Sequence, residues 1–235
     1  MSRRGTHLVV SPPTSSAAPP RMPLARRLIK AVLGPYMRLF HALELQGAEH
    51  IPSRGPAIVV LNHASLLDVP ALMVLDPFPN TATVVKASMF KVPIVSWFLR
   101  QWGAIPVERQ GRDSTGVRTM LGVLRAGGVL AVAAEGRRTR SGRLEAINPV
   151  LARIAAGADV PILPVGIRGS FRALPPGAFF PRPGKILVCV GPAFRLPPGT
   201  DQAAAAQRIQ REIAALLPPD MQPLATERQA QGRGH

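Results

Sequence analysis

Short apolar runs rich in valine and isoleucine alternate along this chain with stretches of helical periodicity, and that alternation limits the fold more than any other feature. The candidate strands are 57–61, 83–85, 104–107, 129–133, 162–167 and 185–190, each bounded by Gly, Pro or Asn. The candidate helices are 24–42, 66–75, 92–101, 114–126, 149–157 and 202–216; the last opens on Asp201, a good N-cap, and stops before Pro218-Pro219. Strands alternating with helices predict one α/β domain over 45–220, with a central mixed sheet flanked by helices. An amphipathic helix within 23–44 precedes it. Residues 1–22 are rich in Ser, Pro, Ala and Arg without periodicity, and 221–235 are similar, so both are expected to be disordered tails.

The charge balance narrows the partners. Lys and Arg number 29 against 13 Asp and Glu, a formal net charge of +16. A surplus of that size points to an anionic partner or simply to a solubilising surface. Nucleic acid is not expected, because the arginines are dispersed and no aromatic-basic platform or DNA-binding motif is present. The single Cys189 lies in an apolar run and reads as a small buried hydrophobe. The five histidines, His7, His41, His50, His63 and His235, have no metal-ligand spacing, and no metal or cofactor is expected. No apolar run reaches the roughly 18 residues that a membrane-spanning helix needs. Ser2-Arg3-Arg4 is followed by too short an apolar stretch for an export signal.

Two segments carry the signature of an interfacial surface. Over 24–42, Leu24, Leu28, Ile29, Val32, Leu33, Tyr36, Met37 and Leu39-Phe40 recur at helical spacing beside Arg26, Arg27, Lys30 and Arg38. Such a helix can lie on an anionic membrane or pack on the core like any amphipathic helix. Residues 89–102 hold both tryptophans and two phenylalanines between basic ends, which suits either a membrane interface or a core.

The candidate chemistry sits at His63. It follows the apolar run 57–61 and precedes a helix, a common position for active sites in α/β proteins. A neutral imidazole there can take a proton from an attacking hydroxyl if its other ring nitrogen donates to an acceptor, for which Asp68 is the nearest candidate. Five residues on a continuous helix correspond to about 500° of rotation, so His63 must precede the helix and Asp68 must lie in its first turns. The alternative is that Asp68 merely satisfies a backbone N–H in a capping-box-like Ser65-Leu66-Leu67-Asp68.

Asn62-His63-x4-Asp68 resembles the first block of the glycerolipid acyltransferases, the family of 1-acyl-glycerol-3-phosphate and lysophospholipid acyltransferases. Further blocks follow in order. Lys86-Ala87-Ser88-Met89-Phe90-Lys91 resembles the segment between the first two blocks, and Gly103-Ala104-Ile105-Pro106-Val107-Glu108-Arg109 the second. Ala133-Ala134-Glu135-Gly136-Arg137-Arg138 is similar to the third, usually Phe-Pro-Glu-Gly-Thr-Arg, and Val160-Pro161-Ile162-Leu163-Pro164-Val165 to the fourth.

The resemblance implies transfer of a fatty acyl group from acyl-CoA or acyl-carrier protein to a lysophospholipid hydroxyl, with His63 as base and Asp68 orienting it. The acceptor it implies first is 1-acyl-glycerol-3-phosphate, giving phosphatidate. Arg109 and Arg138 occupy positions associated with the acceptor phosphate. Asn62, Lys86, Gly103, Glu135, Gly136 and Arg137 complete the implied substrate site, with Glu135 holding the loop or a substrate hydroxyl. Ala133-Ala134 and Arg137 depart from the usual third block, which leaves open a different lysolipid acceptor, such as a lyso-aminolipid, or a non-catalytic lipid-binding relative. Peripheral attachment to the cytoplasmic face of an anionic membrane is the expected location.

Overall fold

A computed structural model of the chain describes residues 24–75, 81–108 and 114–224. The elements run in the order Leu24–His41 (α1), Glu44–Gln46 (β1), Ala57–Leu61 (β2), Asp68–Leu75 (α2), Thr81–Lys86 (β3), Pro93–Gln101 (α3) and Ile105–Val107 (β4). Then come Ser114–Arg125 (α4), Val129–Ala133 (β5), Pro149–Gly157 (α5), Ile162–Arg168 (β6), Ser170–Ala173 (α6), Leu187–Val190 (β7) and Gln202–Ala215 (α7). The seven strands form one sheet in the order β1-β7-β6-β2-β5-β3-β4. All pairings are parallel except β6 with β7, so the sheet is mixed, as the alternation predicts.

β2 lies between β6 and β5, and all five of its residues are buried. A strand covered on both faces needs an unbroken apolar run, and Ala57-Ile58-Val59-Val60-Leu61 is one. Its side chains alternate between two cores. Val59 and Leu61 face a layer with Met37 of α1 and Ala71 and Val74 of α2. Ile58 and Val60 face the opposite layer, with Met120 of α4, Leu151 of α5 and Ile209 and Ile213 of α7.

β1 and α6 escape sequence reading because three or four residues carry too little periodicity. β1 exists because its backbone pairs with β7, a contact made only in the folded chain. The expected tail boundary at 221 is also corrected. Met221 is 8% exposed, and its carbonyl accepts from the Leu144 N–H at 2.8 Å, so the packed chain continues past residue 220. The expected tails at 1–22 and from 225 onward lie outside the described residues.

α1 divides its apolar side chains between a buried and an exposed face. Met37 and His41 are fully buried, while Leu24, Leu28, Val32 and Leu39 are 69%, 59%, 74% and 87% exposed. The segment 89–102 divides the same way: Leu99 and Trp102 are buried, whereas Ile94 and Trp97 face outward. Arg26 joins the two helices, donating from Nε to the Gln101 carbonyl and lying 5.3 Å from the Trp102 ring centroid. Among the described residues no helix is long and apolar enough to cross a membrane.

Candidate active site

The carboxyl ends of β2 and β5 are adjacent, and the loops that leave them are stitched together. The Ala134 N–H donates to the Leu61 carbonyl at 2.7 Å, and the Thr139 N–H to the His63 carbonyl at 2.9 Å. The crevice beyond strand ends is where an open α/β sheet offers a site. Here it opens into a cleft of about 1750 Å³ lined by His63, Asp68, Lys86, Glu135, Gly136 and Arg138.

His63 precedes α2, as its spacing requires, and Asp68 is the first residue of that helix. The pair is joined by a 2.8 Å hydrogen bond between His63 Nδ1 and Asp68 Oδ2. The same oxygen accepts the Ala64 and Ser65 N–H groups, both at 2.9 Å. The bond from Ser65 N–H is the reach-back half of a capping box, so Asp68 both caps and orients. A carboxylate gripped by two backbone donors cannot swing away, and it therefore fixes the imidazole plane. Asp68 is 1% exposed, while the His63 side chain remains 19% exposed toward the cleft. With Nδ1 donating to Asp68, the lone pair is on Nε2, the nitrogen available to a substrate.

Glu135 anchors the second loop. Its Oε2 accepts the His63 N–H at 3.1 Å and its Oε1 the Glu145 N–H at 3.4 Å. Burial dominates its ionisation, pushing the carboxyl up to about 8 despite those backbone donors. Glu135 thus ties the loop after β5 to the loop after β2, accepting a backbone N–H at each oxygen. Gly136 follows at φ 69°, and a Cβ there would come within 2.5 Å of Asn148 Nδ2. Only glycine fits that close approach. Asn148 in turn caps α5, its side chain accepting from the Val150 N–H at 2.8 Å.

The arginines of this loop separate into two kinds. Arg137 donates to Glu145 Oε2 at 2.8 Å, and Glu145 Oε1 also accepts from Thr139 Oγ1 at 2.9 Å. Arg138 is exposed, lines the cleft and has no hydrogen bond or ion pair among the described residues. Lys86, the last residue of β3, is likewise exposed on the cleft.

Two expected substrate contacts have structural employment instead. Asn62 is 2% exposed; its amide donates to the Ile167 carbonyl at 3.0 Å and accepts the Ile167 N–H at 2.7 Å, extending the sheet's bonding between β2 and β6. Gly103 is outside the cleft lining and ends α3 in the left-handed conformation, φ 60°, its N–H bonded to the Arg100 carbonyl. Arg109 lies outside the described residues. Sequence reading missed Glu145 and Asn148, because each acts by tertiary contact with a residue of the third block and neither has a motif of its own.

The cleft itself has an apolar arm. Val69, Met73, Val85, Phe98 and Trp102 line it on the α2 and α3 side. The sequence model of the acyltransferase family matches residues 42–168, the stretch that carries His63, Asp68, Glu135 and Arg138. The chain belongs to the acyltransferase family. It is similar to the chloroplastic 1-acyl-sn-glycerol-3-phosphate acyltransferase BAT2 of Brassica napus, 28% identical over 142 residues, covering 59% of this chain and 41% of that protein. A 1-acyl-sn-glycerol-3-phosphate acyltransferase of Chlamydomonas reinhardtii is 28% identical over 193 residues, 80% of this chain and 57% of that one. The chain thus spans about half the length of these curated relatives. The crystal structure of the 1-acyl-sn-glycerophosphate acyltransferase PlsC from Thermotoga maritima superimposes with a TM-score of 0.67 at 25% identity, covering 81% of this chain and 79% of that one.

Proposed function

We propose that this acyltransferase moves a fatty acyl group from an acyl thioester, acyl-CoA or acyl-carrier protein, to the free hydroxyl of 1-acyl-glycerol-3-phosphate, producing phosphatidate. The observation that carries the reading is the His63 Nδ1–Asp68 Oδ2 bond at the mouth of a cleft with a free arginine. Nε2 of His63 takes the proton of the acceptor hydroxyl as its oxygen attacks the thioester carbonyl. Asp68 stabilises the imidazolium, and the proton then passes to the departing thiolate sulfur. The atoms balance without a Ser or Cys intermediate.

Arg138 is suited to the acceptor phosphate, since a guanidinium offers paired, charge-assisted donors to phosphate oxygens. Arg137 is less suited, because Glu145 already engages it. That pairing also softens the main departure from the family's third block: the added cation is neutralised locally, while Arg138 beside it has no ion partner among the described residues. The apolar arm between α2 and α3 would receive acyl chain. The outward apolar side chains of α1 and α3 support peripheral attachment to an anionic membrane, at the cytoplasmic face where such donors are met.

The test is acyl transfer to lysophosphatidate and to a panel of other lysolipids, comparing wild type with His63→Ala. The expected result is phosphatidate formation lost in the variant. Undiminished turnover in His63→Ala would sink the general-base role. Turnover with another lysolipid, such as a lyso-aminolipid, but not with lysophosphatidate would reassign the acceptor. Lipid binding without any turnover would mark a non-catalytic relative.

A further inference from the structure

The loop between α6 and β7 carries an apolar pair that the proposed reaction does not use. Phe179 and Phe180 are 93% and 85% exposed, the two adjacent aromatic residues most open to solvent among those described. The loop that presents them is stiff. Ala178 N–H closes a turn onto the Pro175 carbonyl at 3.1 Å, with Pro176 and Gly177 (φ 89°) at its centre, and Pro181 and Pro183 follow the pair. Proline and a closed turn hold the rings outward at little further entropic cost on binding.

Both ends of this loop are tied to parts already described. At its start, the Leu174 carbonyl accepts from Ser65 Oγ at 2.8 Å, in the loop that carries His63. At its finish, the Gly184 N–H donates to the Phe40 carbonyl at 3.3 Å and the Ile186 N–H to the His41 carbonyl at 2.8 Å, at the end of α1. There Leu39 is 87% exposed, and Arg38 and Arg182 are exposed without ion partners among the described residues.

We infer that Phe179 and Phe180 form a second membrane anchor, a wedge that enters an anionic lipid surface beside the carboxyl end of α1. The inference rests on the membrane attachment proposed above for α1. Aromatic side chains between cations are the composition of an interfacial segment, apolar parts entering the acyl boundary and cations meeting headgroup phosphates. A second copy of the chain fits less well. Two phenylalanines offer roughly 400 Å², about half of what each partner in a stable interface buries. Like patches would also bring Arg38 and Arg182 against their own copies, in a chain of net charge +16. With α1 spanning about 27 Å, a contact at its far end would fix the tilt of the protein on the surface as well as its attachment.

The test is flotation of the full chain with phosphatidylglycerol–phosphatidylcholine vesicles, comparing wild type, Phe179→Ser/Phe180→Ser and, as the α1 control, Leu28→Glu/Val32→Glu. The loop variant is expected to lose about tenfold or more in vesicle partitioning. Its turnover of a short-chain, monomeric lysophosphatidate should stay unchanged, since neither residue touches the site. A dye on Phe179→Cys should brighten with these vesicles, Cys189 being buried and unlabelled. Wild-type flotation by the loop variant, or a dye indifferent to vesicles, overturns the wedge while leaving α1 attachment standing if Leu28→Glu/Val32→Glu fails to float. Absence of wild-type flotation overturns both. A fall from dimer to monomer in the loop variant would assign the patch to a second copy and reject the membrane.

Discussion

The loop after β2 and the loop after β5 leave adjacent strand ends, yet they employ their charged side chains in opposite ways. In the first, the side chains around His63 turn inward to hold it: Asp68 Oδ2 collects His63 Nδ1 and two backbone N–H groups, and Asn62 bonds both ways to Ile167. In the second, one carboxyl, Glu135, is buried and pushed up to about 8, while Arg137 and Arg138 stand in solvent. A loop that must aim one ring needs its degrees of freedom removed. A loop that must receive a charged ligand needs a rigid base and free cations at its edge. The difference predicts that substitutions in the first loop lower turnover, whereas those at the edge of the second change acceptor affinity.

The largest effect should come from the ring itself. His63→Ala should lower the rate of acyl transfer by about 10²–10⁴-fold, measured by thiol release from the donor. Asp68→Asn should follow closely, because a neutral amide cannot stabilise the imidazolium that forms as His63 takes the proton. Its loss should also appear as about 1–3 kcal/mol of stability, since the amide NH2 would be buried where Asp68 Oδ1 now has no hydrogen-bond partner. A stable, fully active Asp68→Asn would break the contrast between the loops.

Glu135→Gln tests the second loop's base through pH. In the folded chain the carboxyl holds its proton to about 8, but in the unfolded chain it ionises near its ordinary 4.5. Between those values the folded state binds the extra proton, so this group makes stability fall as pH rises, by up to about 1.4 kcal/mol per unit, and the loss is complete above about 8. Thermal melts from pH 5 to 9 should show a flatter profile for Glu135→Gln than for wild type. Parallel profiles would mean that the carboxyl is ionised in the fold.

The smallest effects belong to the arginines, and they sharpen the comparison. Arg138→Ala should raise the acceptor KM about tenfold with the donor KM little changed, a loss of about 1.4 kcal/mol. Arg137→Ala should cost under about 1 kcal/mol in either measure, as its partnership with Glu145 is a largely exposed ion pair. Equal effects of the two on the acceptor would show that both reach the headgroup.

Much of this was legible in the chain alone. The order of strands and helices, the continuous apolar run of β2 and the position of His63 ahead of its helix follow from local pattern, because burial on two faces and a 3.6-residue period leave marks within a few residues. The family blocks, similarly, are contiguous stretches. What tertiary structure decided is who stands opposite whom. The strand order put the loop after β2 against the loop after β5, and so gave the His63 N–H to Glu135. It assigned Asn62 to Ile167, 105 residues away, and Gly103 to the end of a helix, removing both from the substrate contacts that motif resemblance implied. It left Arg138 free by giving Arg137 to Glu145. A short sequence carries the chemistry of each group, but which group is desolvated, paired or left for a ligand depends on neighbours that only the closed sheet brings within hydrogen-bonding distance.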